Sequence, residues 1–350
     1  MKNLKLLAAL IGAAAVLLPA AAAEPLYVLE SATVLPSSDT DWDYIKLEPH
    51  GSRLFIARRK DGLSVFDVDQ KRVTATVANT DGANGPLLLP AIDRGYVVNT
   101  DGSITVFALK SLKVLNRIKL ANDGGLNTIT YDPSTKRLQA VVGSRAAESA
   151  WFTLDAMTGK LLSKTVFPFK KMDEPAPDGK GGLFAPARYD KLLLKLDSRT
   201  LKEIGRWEIN CEQVVAVEHR ADINRLLIGC RGDKPVFLAL DATTGRQIAS
   251  VPIGKGIDGM VHDEKRGRII TSNGGDSSLT VIKQDGPDSY RLLGNIQTRP
   301  QARTMQIDER NGKLYLVTAD ATFPAPGVDG KPAPPYFHPN SFTVLTYKPM

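Results

Sequence analysis

The chain has 350 residues, of which 45 are lysine or arginine and 38 are aspartate or glutamate, so its formal net charge is +7. This excess is mild for the length, and the lack of a basic block argues against a dedicated nucleic-acid site. After residue 24, glycine, proline and charged residues interrupt every apolar run, which excludes a further membrane-spanning segment.

The N-terminus has the three parts of a secretory signal peptide. Two lysines precede an apolar stretch over residues 6–18, and alanines fill positions 20–23. The apolar stretch is shorter than the roughly 20 residues that span a bilayer, although an uncleaved anchor is an alternative. We expect residues 1–23 to be removed and the mature chain to begin at Glu24. The protein is then exported, most simply to a bacterial periplasm.

One strand-and-turn unit recurs seven times in the rest of the chain. The steps between equivalent positions are 41, 47, 42, 44, 42 and 63 residues. A period just above 40 residues, with short strands inside each unit, predicts a β-propeller. The marked positions are Val65-Phe66-Asp67, Val106-Phe107-Ala108, Thr153-Leu154-Asp155, Lys195-Leu196-Asp197, Ala239-Leu240-Asp241, Val281-Ile282-Lys283 and Leu345-Thr346.

The first full unit shows the pattern of one blade. Turn residues separate four apolar-rich segments, which predicts four short antiparallel strands. A single blade cannot cover both of its faces, so it is stable only between neighbours. The predicted strands are Asp43 to Leu47, Arg53 to Ala57, Leu63 to Val68 and Val73 to Val77.

The last unit lacks a fourth strand, whereas Leu26 to Leu35 has strand character and no blade of its own. We expect this segment to be the outer strand of the last blade, where it closes the ring and covers an open edge. The predicted fold is therefore all-β, a seven-bladed propeller that forms a single domain over residues 24–350. Six or eight blades would require misreading one weak unit, and residues 173–182, rich in proline and glycine, mark the fourth unit as the candidate.

The two cysteines, Cys211 and Cys230, flank a predicted hairpin. A strand over 214–218, a turn over 221–224 and a returning strand over 226–229 would bring them opposite each other. In an exported protein this predicts a disulfide, with paired buried thiols as the alternative.

Two segments carry a resemblance to a known family. Gly95 to Val106 and, more closely, Ile269 to Ile282 resemble the Tyr-Val-Thr-Asn repeat of the YVTN propellers. Asn340 to Leu345 is similar to the C-terminus of exported YncE-like proteins. Other blades depart from the repeat, because Arg58-Arg59, Arg188 or Cys230 stands where the asparagine is expected. The resemblance implies the fold, but it brings no single activity and no catalytic residues.

A first candidate site is the mouth of the axial channel. Counting back five residues from each blade's first Asp/Glu turn selects Asp43, Leu88, Asn127, Asp173, Val214, Asp258 and Arg303. We expect the polar members, Asp43, Asn127, Asp173, Asp258 and Arg303, to bind a ligand. They could hold a hard cation through oxygen atoms, or they could form a solvated channel in which Arg303 neutralises one aspartate.

A second candidate is the proline-rich loop over residues 322–340, between the second and third strands of the last blade. Its aromatic residues Tyr336 and Phe337, together with His338, could cover a pocket or bind a partner. The alternative is a semi-rigid surface loop.

The leading hypothesis is a monomeric periplasmic scaffold that binds a small ligand or a protein without catalysis, cofactor or metal. The alternative is a lactonase- or lyase-like enzyme, in which His338 or His262 acts near Asp43 or Asp258, or a quinoprotein dehydrogenase-like subunit by analogy of fold. Single-stranded nucleic-acid binding has weaker support, from arginines expected near one face. Those arginines are Arg58, Arg59, Arg145, Arg188 and Arg231.

Overall fold

The computed structural model describes residues 25–327, 330 and 333–350, so the predicted signal peptide lies outside the described residues. The described part of the chain contains 30 strands and two three-residue 3₁₀ turns, Pro90–Ile92 and Glu264–Arg266, and no α-helix. It follows that none of the described residues form a helix able to cross a membrane.

Seven four-stranded antiparallel sheets form the blades, as predicted. The first six are consecutive in the chain, with the first strand innermost. Blade 1 contains β2–β5 (Trp42–Leu47, Arg53–Arg58, Gly62–Asp67, Arg72–Val77), and blade 2 contains β6–β9 (Ala83–Leu89, Arg94–Asn99, Ser103–Phe107, Val114–Lys119). Blade 3 contains β10–β13 (Leu126–Asp132, Arg137–Val142, Ser149–Asp155, Leu161–Phe167), and blade 4 contains β14–β17 (Ala176–Pro177, Gly182–Ala187, Leu192–Asp197, Glu203–Glu208). Blade 5 contains β18–β21 (Gln213–Arg220, Arg225–Arg231, Val236–Asp241, Gln247–Pro252), and blade 6 contains β22–β25 (Ile257–Asp263, Arg268–Asn273, Ser278–Gly286, Ser289–Gln297).

Blade 7 combines both ends of the described chain. Its inner strands are β26 (Met305–Asp308) and β27 (Lys313–Thr318), its third strand is β30 (Thr343–Pro349), and β1 (Tyr27–Val34) pairs with β30 on the outside. The pairing runs antiparallel from Tyr27 opposite Pro349 to Val34 opposite Thr343. The predicted closure by the N-terminal strand is confirmed. Within the proline-rich segment, β28 (Ala321–Thr322) and β29 (Tyr336–Phe337) form a small separate hairpin.

The innermost strands contact one another in a complete ring, from β2 through β6, β10, β14, β18, β22 and β26 back to β2. We call the face at which these strands begin the upper face, and the face at which they end the lower face. Because neighbouring strands in a blade are antiparallel, connections from second to third strands also lie on the upper face. The proline-rich segment, which joins β27 to β30, therefore belongs to the upper face.

The hydrophobic core lies between the blades. In β3 every residue after the first is buried, whereas the outer strand β5 alternates between exposed and half-buried positions up to its buried last residue, Val77. The second strand has a neighbouring blade on each face, so it needs apolar side chains on both. Phe55 and Phe107 illustrate the packing, since their fully buried rings stack at 6.0 Å between blades 1 and 2. Burying each such ring contributes about 1.5–3 kcal/mol to folding.

The disulfide between Cys211 and Cys230 is also confirmed. Cys211 precedes β18 in the connection from blade 4, and Cys230 lies on β19, where it pairs with Val214. Their Cα atoms are 6.1 Å apart. The bond therefore ties the link between two blades to the second strand of blade 5.

Candidate functional site

A polar cavity of about 360 Å³ lies at the upper end of the axis. The structure brings all five polar residues predicted for the channel mouth to its wall. Four further charged or aromatic residues, which the prediction did not include, also line it. The predicted residues are Asp43, Asn127, Asp173, Asp258 and Arg303, and the additional ones are Tyr44, Lys171, Arg188 and Arg231.

A β-bulge at the start of the inner strand positions several of these side chains. The register of β2 shifts between Trp42 and Ile45, and β10 and β22 have the corresponding shift around Asn127 and Asp258. The extra residue of a bulge leaves the ladder and re-aims its side chain. The bulge thus explains how Asp43, Asn127 and Asp258 reach the axis in blades 1, 3 and 6.

Two residues of the predicted ring do not lie at the axis, and the position of the bulge explains why. Leu88 and Val214 are buried in apolar clusters between blades, and neither lines the axial cavity. In blade 2 the bulge places Asn84 at the equivalent position, and in blade 5 it places Val215 there. Counting back from an Asp/Glu turn failed in blade 2 because its inner strand ends in Leu89, and the first acidic residue, Asp93, comes four residues later, after the Pro90–Ile92 turn.

Asp173 and Arg188 form a buried ion pair on one side of the cavity. Arg188 donates from Nε to Asp173 Oδ2 at 2.5 Å and from a terminal nitrogen to Oδ1 at 2.8 Å. Lys171 Nζ lies 3.8 Å from the same carboxylate. Burial alone would lower the pKa of Arg188, but the Asp173 carboxylate raises it well above its ordinary value. Arg188 is therefore a fixed positive charge in the wall.

Asp258 lies between two arginines on the opposite arc. Arg231 and Arg303 approach its two oxygens at 2.5 Å and 3.4 Å. Arg303 also donates to the carbonyl oxygen of Trp42 at 2.6 Å, and its guanidinium lies 5.1 Å from the centre of the Trp42 ring. These contacts hold Arg303 in one orientation. Although burial opposes its charge, Asp43 and Asp258 raise the pKa of Arg303.

Asp43 is the most weakly compensated carboxylate of the cavity. Its nearest cationic partner is Arg59, at 3.3 Å, and Arg59 makes a shorter contact of 2.5 Å with Asp41. Burial and the nearby Asp258 carboxylate raise the pKa of Asp43 to about 6, against the opposing effects of Arg303 and Arg59. The charge of the cavity thus changes near pH 6.

The wall carries a small positive excess. Lys171, Arg188, Arg231 and Arg303 face three carboxylates, which leaves one net positive charge when Asp43 is ionised and two when it is protonated. Among the described residues, none accepts a hydrogen bond from Lys171 Nζ or from the NH1 nitrogens of Arg231 and Arg303. The cavity therefore offers more donors than its own acceptors satisfy.

The proline-rich segment borders this cavity. A second space of about 610 Å³ lies between Phe323 and residues 334–337 on one side and the rim of blade 1 on the other. Gln301 and Arg303 line both spaces, so the two are adjacent on the upper face. The two sites predicted separately are neighbours.

The three residues predicted for partner binding occupy different environments. Phe337 is 6 % exposed, and its ring packs edge-on against Trp42 with centroids 4.9 Å apart. Tyr336 is 51 % exposed, and His338 Nε2 shares a 2.8 Å hydrogen bond with Thr322 Oγ1. Phe337 belongs to the core, whereas Tyr336 is available at the surface. Partner binding stays a prediction.

The histidine positions bear on the enzyme hypothesis. His262 lines a cavity at the lower face and contacts Arg220, whereas Asp43 and Asp258 line the upper one. None of the residues that line the upper cavity is a histidine. The acid–base pairs considered from the sequence are thus not brought together around this cavity.

The five arginines considered for nucleic-acid binding all lie against acceptors of the protein itself. Arg58 bonds to Ser64 and to the Pro36 carbonyl oxygen, and Arg145 to Asp123 and the Gly125 carbonyl oxygen. The remaining three are in the ion pairs described above. A departure from the repeat's asparagine was the sequence signal at Arg188 and at Cys230, which precedes Arg231, but it did not distinguish an axial position from a surface one.

Comparisons with known proteins identify the fold alone. No family model matches the chain, and no curated protein matches it in sequence. By contrast, 1776 chains of solved structures match its fold. One belongs to a mitotic checkpoint complex, with a TM-score of 0.70 and 12 % identity, covering 90 % of this chain and 95 % of that one. Another belongs to the hydrazine synthase of Kuenenia stuttgartiensis, with a TM-score of 0.67 and 15 % identity, covering 80 % of this chain and 93 % of that one. At these identities the structural similarity establishes a propeller fold only. Any inference about function has to come from the residues of the cavity.

Proposed function

We propose that the protein is an exported propeller of the YVTN, YncE-like kind that binds a small carboxylate-bearing ligand in the upper axial cavity, without catalytic turnover. One observation carries this proposal: the cavity wall has a net positive charge and N–H donors without acceptors. A carboxylate accepts hydrogen bonds only, and arginine binds it in a planar, charge-assisted geometry. Its two oxygens match the donors left over on Arg231, Arg303 and Lys171.

The fixed orientation of Arg303 supports a role for this residue in binding the ligand. Its contacts with Trp42 and Asp258 hold the guanidinium in place, so little side-chain freedom is lost on binding. The disulfide and the signal-like N-terminus support export to an oxidising compartment, which we infer to be the periplasm.

The test is calorimetric titration of the purified protein with acetate, succinate and citrate at pH 7. We expect at least one polycarboxylate to bind, and Arg231→Gln to weaken its binding by about tenfold or more. Arg246→Gln removes the same charge at an exposed position outside the cavity and serves as the control. No binding by the wild type, or equal binding by Arg231→Gln, would rule the proposal out.

A further inference from the structure

The space beside the proline-rich segment continues the upper cavity. We call it the aromatic groove, and it lies between Phe323 and residues 334–337 on one side and the rim of blade 1 on the other. Its volume of about 610 Å³ is typical of a ligand pocket. Gln301 and Arg303 line both spaces, and Arg59 of the groove contacts Asp43 of the cavity at 3.3 Å. One ligand can therefore occupy both.

One wall of the groove is apolar and partly exposed to solvent. The side chains of Phe323 and Tyr336 are 57 % and 51 % exposed. Both rings line the groove together with Pro334 and Pro335. Exposed apolar side chains that lie together on a concave surface are typical of a binding site.

The base of this wall is held in place by the fold. Phe337 packs against Trp42, and the Arg303 guanidinium lies 5.1 Å from the centre of the same indole. The His338 amide donates to the Asp320 carbonyl oxygen at 2.8 Å, next to the small hairpin of β28 and β29. One buried indole thus contacts both the aromatic wall of the groove and an arginine of the cavity, and it fixes their spacing.

The charges on the opposite wall neutralise one another. Lys60 and Asp39 form an ion pair of 2.7 Å. Each of the three Arg59 nitrogens donates to a side chain of the protein, and two of these acceptors are the carboxylates of Asp41 and Asp43. The groove therefore suits an apolar group, whereas the donors without described acceptors lie in the cavity.

We propose that the ligand is an aryl-substituted carboxylate, whose carboxylate binds in the upper cavity and whose aromatic ring lies in the aromatic groove. This inference rests on the proposed carboxylate site and names the class of ligand for it. The carboxylate accepts hydrogen bonds from Arg231 and Arg303. The ring packs against Tyr336 and Phe323, and aromatic rings pair favourably in offset or edge-on geometry.

The experiment compares succinate with each enantiomer of phenylsuccinate by calorimetric titration of the purified protein at pH 7. The ligands have the same two carboxylates and differ by one ring. We expect the preferred enantiomer of phenylsuccinate to bind about tenfold more tightly than succinate, because its ring is removed from water in the groove. Arg231→Gln should weaken the binding of both ligands by similar factors, since it removes a contact with the carboxylates alone.

The ratio of the two dissociation constants tests the groove in each variant. Tyr336→Ala and Phe323→Ala each remove an exposed ring, and we expect either one to reduce the ratio to about threefold or less. Tyr189→Ala is the matched control, because this tyrosine is also exposed but lines neither space, so its ratio should equal that of the wild type. Both ligands are measured on the same protein, so a partial loss of folded material does not alter the ratio.

Three outcomes would overturn the proposal. The first is that succinate binds and phenylsuccinate binds no more tightly, which would leave the carboxylate site without the groove. The second is that the ratio of the wild type persists in both Tyr336→Ala and Phe323→Ala. The third is self-association in sedimentation velocity that Tyr336→Ala abolishes, which would assign the groove to a second copy of the chain. If neither ligand binds, the carboxylate site itself is wrong, and the groove proposal fails with it.

Discussion

Asp173 and Arg188, with side chains 2 % and 9 % exposed, are joined by two hydrogen bonds beside the axial cavity. Replacing Asp173 by asparagine leaves the Arg188 charge buried without its counter-ion, and such losses typically cost 3–5 kcal/mol. We expect the free energy of unfolding of Asp173→Asn to fall by about that amount in urea denaturation.

The matched control for this prediction is the double variant Asp173→Leu, Arg188→Met. Replacing a buried ion pair by apolar residues of similar volume is often neutral, so most of the stability should return. A double variant as unstable as Asp173→Asn would show that packing, and not the unpaired charge, causes the loss.

The raised pKa of Asp43 predicts a pH-dependent stability. In the unfolded chain an aspartate titrates near pH 3.9, whereas in the folded protein the pKa of Asp43 is about 6. The folded state holds this proton more tightly, so its stabilising contribution is present at low pH and is lost as the pH rises from about 4 to 6. Because Asp43→Asn cannot ionise, we expect its stability relative to the wild type to increase over this range by about 1–3 kcal/mol.

Denaturation of both proteins at pH 4.5 and pH 7 checks this. Glu218 also titrates in the upper part of the interval, but both proteins contain it, so its contribution cancels in the difference. A difference that is constant with pH would contradict the assigned burial of Asp43.

The neighbouring aromatic residues of the proline-rich segment should respond very differently to truncation. Phe337→Ala removes a ring that is packed between Trp42 and the core of blades 1 and 7, and we expect a loss of about 3–5 kcal/mol. Tyr336→Ala removes an exposed ring and should change the stability by less than about 0.5 kcal/mol. Thermal or urea unfolding of the two variants is a direct comparison, and similar losses would mean that Tyr336 is also held by the core.

The disulfide closes a short loop, with 19 positions separating the two cysteines. For a loop of this size, the entropy removed from the unfolded chain corresponds to about 3 kcal/mol. We expect the variant with both cysteines replaced by serine to lose about that much stability, while it keeps its seven blades and its carboxylate binding. Unfolding of wild type and variant under non-reducing conditions measures this loss. If the variant no longer binds carboxylates, the disulfide also helps to hold the cavity residues in place.

The sequence allowed the fold to be predicted closely, because each blade repeats its own turns. Asp43, Asn127 and Asp258 were found by counting, since an Asp/Glu turn follows their inner strands at a constant distance. The count failed at Leu88, because the inner strand ends in Leu89 and not in an acidic residue, and at Val214, which is one residue short of the bulge. The count locates the bulge only where an acidic residue marks the end of the inner strand, as Asp132 and Asp263 do.

The other cavity residues could not be predicted from the sequence, because their positions depend on how strands far apart in the chain are arranged. Arg188 follows the second strand of blade 4 and Arg231 ends the second strand of blade 5, and only the three-dimensional arrangement brings them to the axis. The position of Glu218, which lines two cavities along the axis, is similarly invisible in the sequence, because the polar residues Glu218, His219 and Arg220 look like the exposed end of a strand. Which of them faces the axis depends on how blades 5, 6 and 7 meet.

The pairing of β1 with β30 has a consequence for how the protein is made. Tyr27 additionally donates a hydrogen bond to Asp263, and Arg268 donates one to the carbonyl oxygen of Leu26, so the first strand is held by two blades that are synthesised last. Six blades can assemble during translation while residues 27–34 have no strand to join. Closure of the ring therefore waits until residues 343–349 have emerged, and a chain interrupted before them would expose two unpaired strand edges that a protease or chaperone can recognise.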